Sequence, residues 1–393
     1  MDIREGWLED ELEGLRRQHL YRQTRTWPAT GGRVRMDGRE LLNFSSNDYL
    51  DLAHHPAVLA AAERTLRAYG AGATASRLVA GSLPLHEELE ARLARLKGCP
   101  AALVFGSGYL ANTGTVPALA GHGDTIFADR LAHASLMDAA VLSRAKLERF
   151  RHNDAEHLDE LLSKCSGGGR KLIVTESVFS MDGDLAPLRE IAAVAARHGA
   201  LLLVDEAHAT GVFGPCGGGL IREYGLEAEV TIAMGTLSKA LGGYGGFVAV
   251  SDRMREWLVN RARAFIFSTA LPPAMLGAAL GALDVLEQQP GGGGELLRRA
   301  AAFRQRLQAA GLDTMRSASQ VIPILVGNNA RALALAERLR TQGLLVVAIR
   351  PPTVPAGSAR LRLSVTLAHT DAELERAAEL IVAAARAEGL PAA

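Results

Sequence analysis

The sequence predicts an α/β protein with a mostly parallel central sheet, helices on both faces, and a smaller α+β domain after it. Three observations point there. From about residue 51 to 285, short apolar runs alternate with helical stripes. The stretch Gln288 to Gly294 (Q-Q-P-G-G-G-G) reads as a linker or exposed loop. Beyond it the composition resets into a second set of helices and strands.

In chain order, Leu8, Leu12, Leu15 and Leu20 have roughly helical spacing. Arg33 to Met36 and Glu40 to Phe44 flank the turn Asp37-Gly38, a hairpin signal. Residues 1–50 thus form a helix-and-hairpin segment. The apolar runs of the large domain, 51–285, are Ala101 to Phe105, Thr125 to Ala128, Leu172 to Thr175, Leu201 to Val204, Val230 to Met234 and Phe247 to Val250. Leu85, Leu89, Leu93 and Leu96 make one helical stripe, and Leu188, Ile191, Val194 and Ala195 another. Continuous apolar strands between helices belong to a sheet covered on both faces. The last two runs are joined too tightly for a helical crossover, which points to an antiparallel strand. In the final domain, 286–393, helices over 295–310, 329–342 and 370–388 accompany strands over 321–326, 344–349 and 360–366.

Composition narrows the function. The chain has 393 residues, 48% of them hydrophobic and 22% charged, with zero formal net charge. That balance gives a large soluble core and no footprint for nucleic acid or an anionic membrane. No stretch is apolar enough to span a bilayer, and the first ten residues are acidic. Cys99, Cys165 and Cys216 are scattered, without C-x-x-C or zinc spacing. Reduced thiols in the cytoplasm and no metal site are expected.

In an open parallel sheet, ligands bind beyond the carboxyl ends of the strands. Six polar groups fall there or close by. Lys239 follows a strand-like run and the small-residue turn Gly235-Thr236-Leu237-Ser238. A buried lysine among small residues loses its proton readily and attacks a carbonyl; an exposed lysine would only be solvated. Gly106-Ser107-Gly108-Tyr109 follows the first run and opens a helix, which makes either an anion site or an ordinary tight turn. Asp205 ends the fourth run, with His208 three residues on. A carboxylate there holds a cationic ring nitrogen or caps a helix. His133 begins a helix, so its ring is a ligand contact or a cap. Phe267-Ser268-Thr269-Ala270 offers two hydroxyls, for a ligand or for capping. Glu176 to Gly183 adds further carboxylates and hydroxyls at a strand end. One ligand fits all of this: an anionic handle at Gly108 and Tyr109, a basic ring nitrogen on Asp205 and an aldehyde facing Lys239. Pyridoxal 5′-phosphate has those features.

At this point the chain resembles the α-oxoamine synthase family of fold-type I pyridoxal phosphate enzymes. The resemblance rests on N-F-S-S-N-D-Y-L (43–50), S-R-L-V-A-G-S (76–82), H-E-E-L-E (86–90), F-G-S-G-Y-L-A-N (105–112), E-S-V-F-S-M-D-G-D (176–184), D-E-A-H-A-T-G-V-F-G (205–214) and G-T-L-S-K-A-L-G-G (235–243). Ala73-Thr74-Ala75 departs from a stretch where relatives often carry more glycine or serine. The segments 349–362 and 242–249 incline toward the member that joins L-alanine to pimeloyl-CoA, or to a pimeloyl carrier protein, in biotin synthesis.

The resemblance implies roles. Lys239 would hold the cofactor through an imine, Asp205 would pair with the pyridinium nitrogen, His208 would bond the ring hydroxyl, and His133 would stack on the ring. Gly108, Tyr109, Ser180 and Thr236 would contact the cofactor, mostly near its phosphate. Ser268 and Thr269 would reach a phosphate across a homodimer interface. Asn47, His133, Arg350, Thr353 and Arg22 (or Arg25) would face substrate. Sister activities of the family, with glycine or serine and other acyl groups, share these motifs. Asp205-Glu206-Ala207-His208 also occurs in nucleotide-driven helicases, but that chemistry needs a G-x-x-x-x-G-K-[ST] loop, and the chain has no Gly-Lys pair.

Overall fold

A computed structural model describes residues 4–390. The chain divides into two compact units: Asn47–Ser180 with Asp184–Leu296, and Met1–Ser46 with Met181–Gly183 and Leu297–Ala393.

The larger unit is built on a seven-stranded sheet. Its strands are β1 (Ala101–Phe105), β2 (Thr125–Asp129), β3 (Lys146–Phe150), β4 (Lys171–Glu176), β5 (Leu201–Asp205), β6 (Ile232–Thr236) and β7 (Gly246–Val250), in the order β1-β7-β6-β5-β4-β2-β3. β2, β3, β4, β5 and β6 pair in parallel, and β7 runs antiparallel to both β1 and β6. The tight link between the last two apolar runs therefore does mark the antiparallel strand.

Five of the seven strands coincide with the apolar runs to within a residue. β3 was not anticipated: Lys-Leu-Glu-Arg-Phe is an edge strand with only Phe150 buried, so its sequence carries no apolar run. β6 starts and ends two residues later than its run. Gly235 and Thr236 complete the strand instead of forming a turn, pairing with Phe247 and Gly246. Glycine is required there, since a Cβ on Gly235 would lie 2.4 Å from the Phe247 ring.

One sheet face packs α1 (Gly108–Leu119) and α2 (Ala134–Ser143), burying Leu103, Ile126, Leu172, Leu203 and Ile232 completely. Each such side chain contributes about 1.5–3 kcal/mol of transfer free energy. Both helices start on side-chain caps. Ser107 accepts from the Leu110 amide, and His133 from the Ser135 amide. The caps fix where the two helix starts lie relative to the strand ends.

The smaller unit holds the hairpin Arg33–Met36/Arg39–Asn43, extended in parallel by Leu344–Leu345. It also holds a three-stranded sheet of Val321–Gly327, Ala359–Ser364 and Val347–Ile349. The strand expected over 344–349 is thus two short pieces in two sheets. The amino-terminal helix runs Gly6–Arg17 with no buried residue, so Leu20 lies outside it.

Candidate active site

The carboxyl ends of β4, β5 and β6 gather a polar cluster in the larger unit. β5 ends on Asp205, which is 4% exposed. Its Oδ1 accepts from the Ala207 amide at 2.9 Å, and its Oδ2 from Asn112 Nδ2 at 2.8 Å. Asn112 sits one turn into α1 and also donates to Ser135 Oγ at 2.9 Å. The alternative role for Asp205, capping a helix, is not what its bonds describe: its donors are a side-chain amide and one turn amide.

Lys239 Nζ lies 2.9 Å from His208 Nε2. Nδ1 of the same ring meets the Tyr49 hydroxyl at 2.6 Å, and that hydroxyl donates to Asn47 Oδ1 at 3.2 Å. With the tyrosine proton on Asn47, the Nδ1–H tautomer of His208 leaves Nε2 as the acceptor for Lys239. Asn47, Tyr49, His208 and Lys239 thus form one chain of polar contacts. Burial and the nearby Lys239 push the His133 imidazole below its ordinary pKa, against the pull of Asp205. Its Nδ1 is spent on Ser135, through the hydroxyl at 2.8 Å and the amide at 3.2 Å. His133 is therefore a cap, and its ring is at the same time within the field of Asp205 and Lys239.

The proposed phosphate corner is formed by close backbone approach. A Cβ on Gly246 would stand 2.5 Å from the Gly108 amide nitrogen, and a Cβ on Gly108 would stand 2.9 Å from Met234 Cε. The amides at the start of a twelve-residue helix are left without intrahelical partners, and they favour an anion. Thr236 is beside Gly108, but its hydroxyl donates to Gly245 O at 2.9 Å and accepts from the Ser238 amide at 3.2 Å, shaping the turn before Lys239. The Tyr109 ring is half-exposed, and its hydroxyl bonds Asp138 on α2, which raises the phenol's pKa. Ser180 is buried at the end of its segment.

The remaining candidates have other partners. Thr269 pairs with Ser76 in an isolated bridge, and Ser268 and Thr269 line a cavity of about 10 Å³ with Arg77 and His86. Arg22, Arg350 and Thr353 belong to the smaller unit. Arg22 donates to Pro351 O at 3.0 Å, Arg350 bonds His19 O, and the Thr353 amide donates to Arg350 O at 3.1 Å. All three line a cleft of about 470 Å³, and so does Arg25. Burial and repulsion from Arg22 lower the Arg350 pKa.

Sequence reasoning assigned no role to Tyr49, Asn112 or Glu176. All three lie inside quoted motifs; Glu176 stands among carboxylates read at a strand end, and the signal for the other two was a polar residue at a position that a helix or turn buries.

The donor set suits pyridoxal phosphate. Asp205 offers a carboxylate held by neutral donors, Asn112 Oδ1 is buried without a partner among the described residues, and the Gly108 corner has room that a Cβ would close. The profile of the aminotransferase class I and II family matches residues 39–381. The chain belongs to the aminotransferase class I and II family. An 8-amino-7-oxononanoate synthase from Geobacter sulfurreducens is 52% identical over 370 residues, covering 93% of this chain and 95% of the relative. Among solved structures, one of SPT with a PLP internal aldimine superposes with a TM-score of 0.93 at 33% identity, covering all of both chains. An 8-amino-7-oxononanoate synthase from Francisella tularensis superposes at 0.75 with 30% identity, covering 89% of this chain and 99% of that one. The α/β architecture is the fold-type I arrangement of these neighbours.

Proposed function

We propose that the chain condenses L-alanine with pimeloyl-CoA, or a pimeloyl carrier protein, releasing carbon dioxide and the free thiol and giving 8-amino-7-oxononanoate for biotin synthesis. The observation that carries this reading is the 52% identity, over nearly the full length of both chains, to a synthase of that name. The backbone is more like SPT than like the Francisella synthase (0.93 against 0.75). Substrate choice lies in side chains, however, and 52% identity outweighs 33% on that question.

Pyridoxal phosphate, when bound, supplies a carbonyl for the lysine and a ring that draws electrons from the α-carbon. Asp205 would face the ring nitrogen, the Gly108–Tyr109 amides and Ser180 the phosphate, and His133 the ring face. His208 shares its Nε2 with Lys239, so it is placed to bond either the lysine amine or a ring oxygen. Lys239 Nζ takes the α-proton of alanine as general base. The α-carbon then forms a bond to the thioester carbonyl carbon, and the carbon–sulfur bond breaks with the electron pair on sulfur. Carbon dioxide leaves from the β-keto acid, and a proton returns to the α-carbon. Arg350 is the candidate for the carboxylate of the amino acid, because a guanidinium binds it in a fork. Ser268 and Thr269 serve the site of a second copy in a homodimer, which explains why they stand apart within one chain. The unpaired Cys99, Cys165 and Cys216 suit a cytoplasmic enzyme.

A matrix of alanine, glycine and serine against pimeloyl-, acetyl- and palmitoyl-CoA, with product mass as readout, tests the reading. Condensation of alanine with the pimeloyl thioester above all other pairs is expected. Preference for serine and palmitoyl-CoA would move the assignment to the sister activity.

A further inference from the structure

Glu176 is a buried ionisable group at the strand ends that the mechanism does not use. It ends β4 and is the register partner of Asp205 at the end of β5. Paired positions on adjacent parallel strands present their side chains to the same face, with the strands about 4.8 Å apart. Glu176 is 2% exposed, and its Oε1 has no hydrogen-bond partner among the described residues. The backbone amide of His133, the cap of α2, is close enough to the carboxyl to favour its charged form.

The surroundings do not suit a second charge. Asp205 and, further off, Asp129 repel it, and Lys239 is the cation that attracts it. Lys239 is turned to His208 at 2.9 Å, and Asp129 is already matched by His152 at 2.9 Å. A buried carboxylate needs donors on both oxygens, and one oxygen here has none. Burial, then Asp205, push the Glu176 carboxyl well above its ordinary range, against the pull of Lys239 and the His133 amide. Two adjacent carboxyls of which one stays protonated is the arrangement like charges enforce.

We propose that Glu176 is a positioning residue: a neutral acid that holds the backbone of His133 and leaves Asp205 as the sole negative charge facing the ligand. The inference rests on the functional reading for what His133 and Asp205 do, but its test is separable from that reading.

Glu176→Gln keeps a neutral acceptor for the His133 amide, and Glu176→Leu removes it at similar volume. In the cofactor-loaded enzyme, Glu176→Gln should stay within about threefold of wild-type kcat, while Glu176→Leu loses about 30-fold in kcat at nearly unchanged KM, the scale of one buried hydrogen bond. The second readout needs neither cofactor nor substrate. A carboxyl whose pKa is raised on folding adds stability that is complete below its unfolded value and is lost as pH rises toward its folded value. The melting temperature of the full-length Glu176→Gln chain should therefore gain steadily on wild type as pH rises above the ordinary carboxylate range. A Gln variant as inactive as the Leu variant, or a melting difference that stays flat as pH rises, would overturn the proposal. A chain without synthase activity that still shows the pH trend would count against the functional reading and for this one.

Discussion

Two places in the larger unit bury carboxylates in opposite ways. Behind the strand ends, Lys97 Nζ meets Glu206 Oε2 at 2.8 Å, with both groups almost wholly buried. Glu206 also accepts the Ile221 amide, and Lys97 also reaches Thr210. His152 similarly bridges Asp129 at 2.9 Å and Asp184 at 2.8 Å. In the first a dedicated cation cancels the charge, and in the second one histidine is shared by two aspartates. At the strand ends, Asp205 is held by a neutral amide and a backbone N–H, and Glu176 lacks a partner on one oxygen. Lys239, the cation in that field, is bonded to a histidine instead. Where the fold has only to be held together, charge is neutralised. Where a ligand is to be handled, the Asp205 carboxylate is met by neutral donors in place of a cation.

Substitutions on the two sides of this contrast should therefore fail differently. Asp205→Asn should lower kcat by about 100- to 1,000-fold, the scale of removing one preorganised charge, with little change in melting temperature; steady-state kinetics beside calorimetry checks it. On the structural side, Lys97→Met strands Glu206 without its cation and should cost about 3–5 kcal/mol of stability in denaturant titration. The double change Lys97→Met with Glu206→Gln should recover part of that loss. A Lys97→Met protein of normal stability would dissolve the contrast.

His152 sharpens it through pH. Its two aspartates outweigh the effect of burial and raise its pKa from 6.5 to about 10. A raised histidine stabilises fully below its unfolded value and loses that contribution as pH climbs through the folded one. The melting temperature of His152→Asn should thus lie furthest below wild type near pH 6 and converge with it as pH passes about 10. Tyr49→Phe should have the smallest effect. It removes the hydroxyl behind His208, and a fall of about 3- to 10-fold in kcat with an altered pH profile is expected.

The sequence made the strand ends legible because β1, β2, β4 and β5 are near-continuous buried apolar runs, and a parallel sheet places the next polar residue at the ligand edge. Asp205 and His208 stood out as candidates on that basis, and Lys239 through the small-residue stretch before it. β3 was not, because a polar edge strand has no apolar period. The Asn112–Asp205 and Tyr49–His208 bonds join residues 93 and 159 positions apart, and local pattern holds no trace of such pairings. The choice between Arg22 and Arg25 was equally hidden, since both line the cleft of the smaller unit.

The account turns on Lys239, a lysine beside an acceptor histidine in a site whose carboxylates lack a cation of their own. Borohydride reduction of the cofactor-loaded protein, followed by peptide mass mapping, tests it most directly. The pyridoxyl group is expected on the peptide containing Lys239, and Lys239→Ala should abolish both that label and turnover while Lys97 stays unlabelled. Label on another lysine, or an active Lys239→Ala protein, would contradict it.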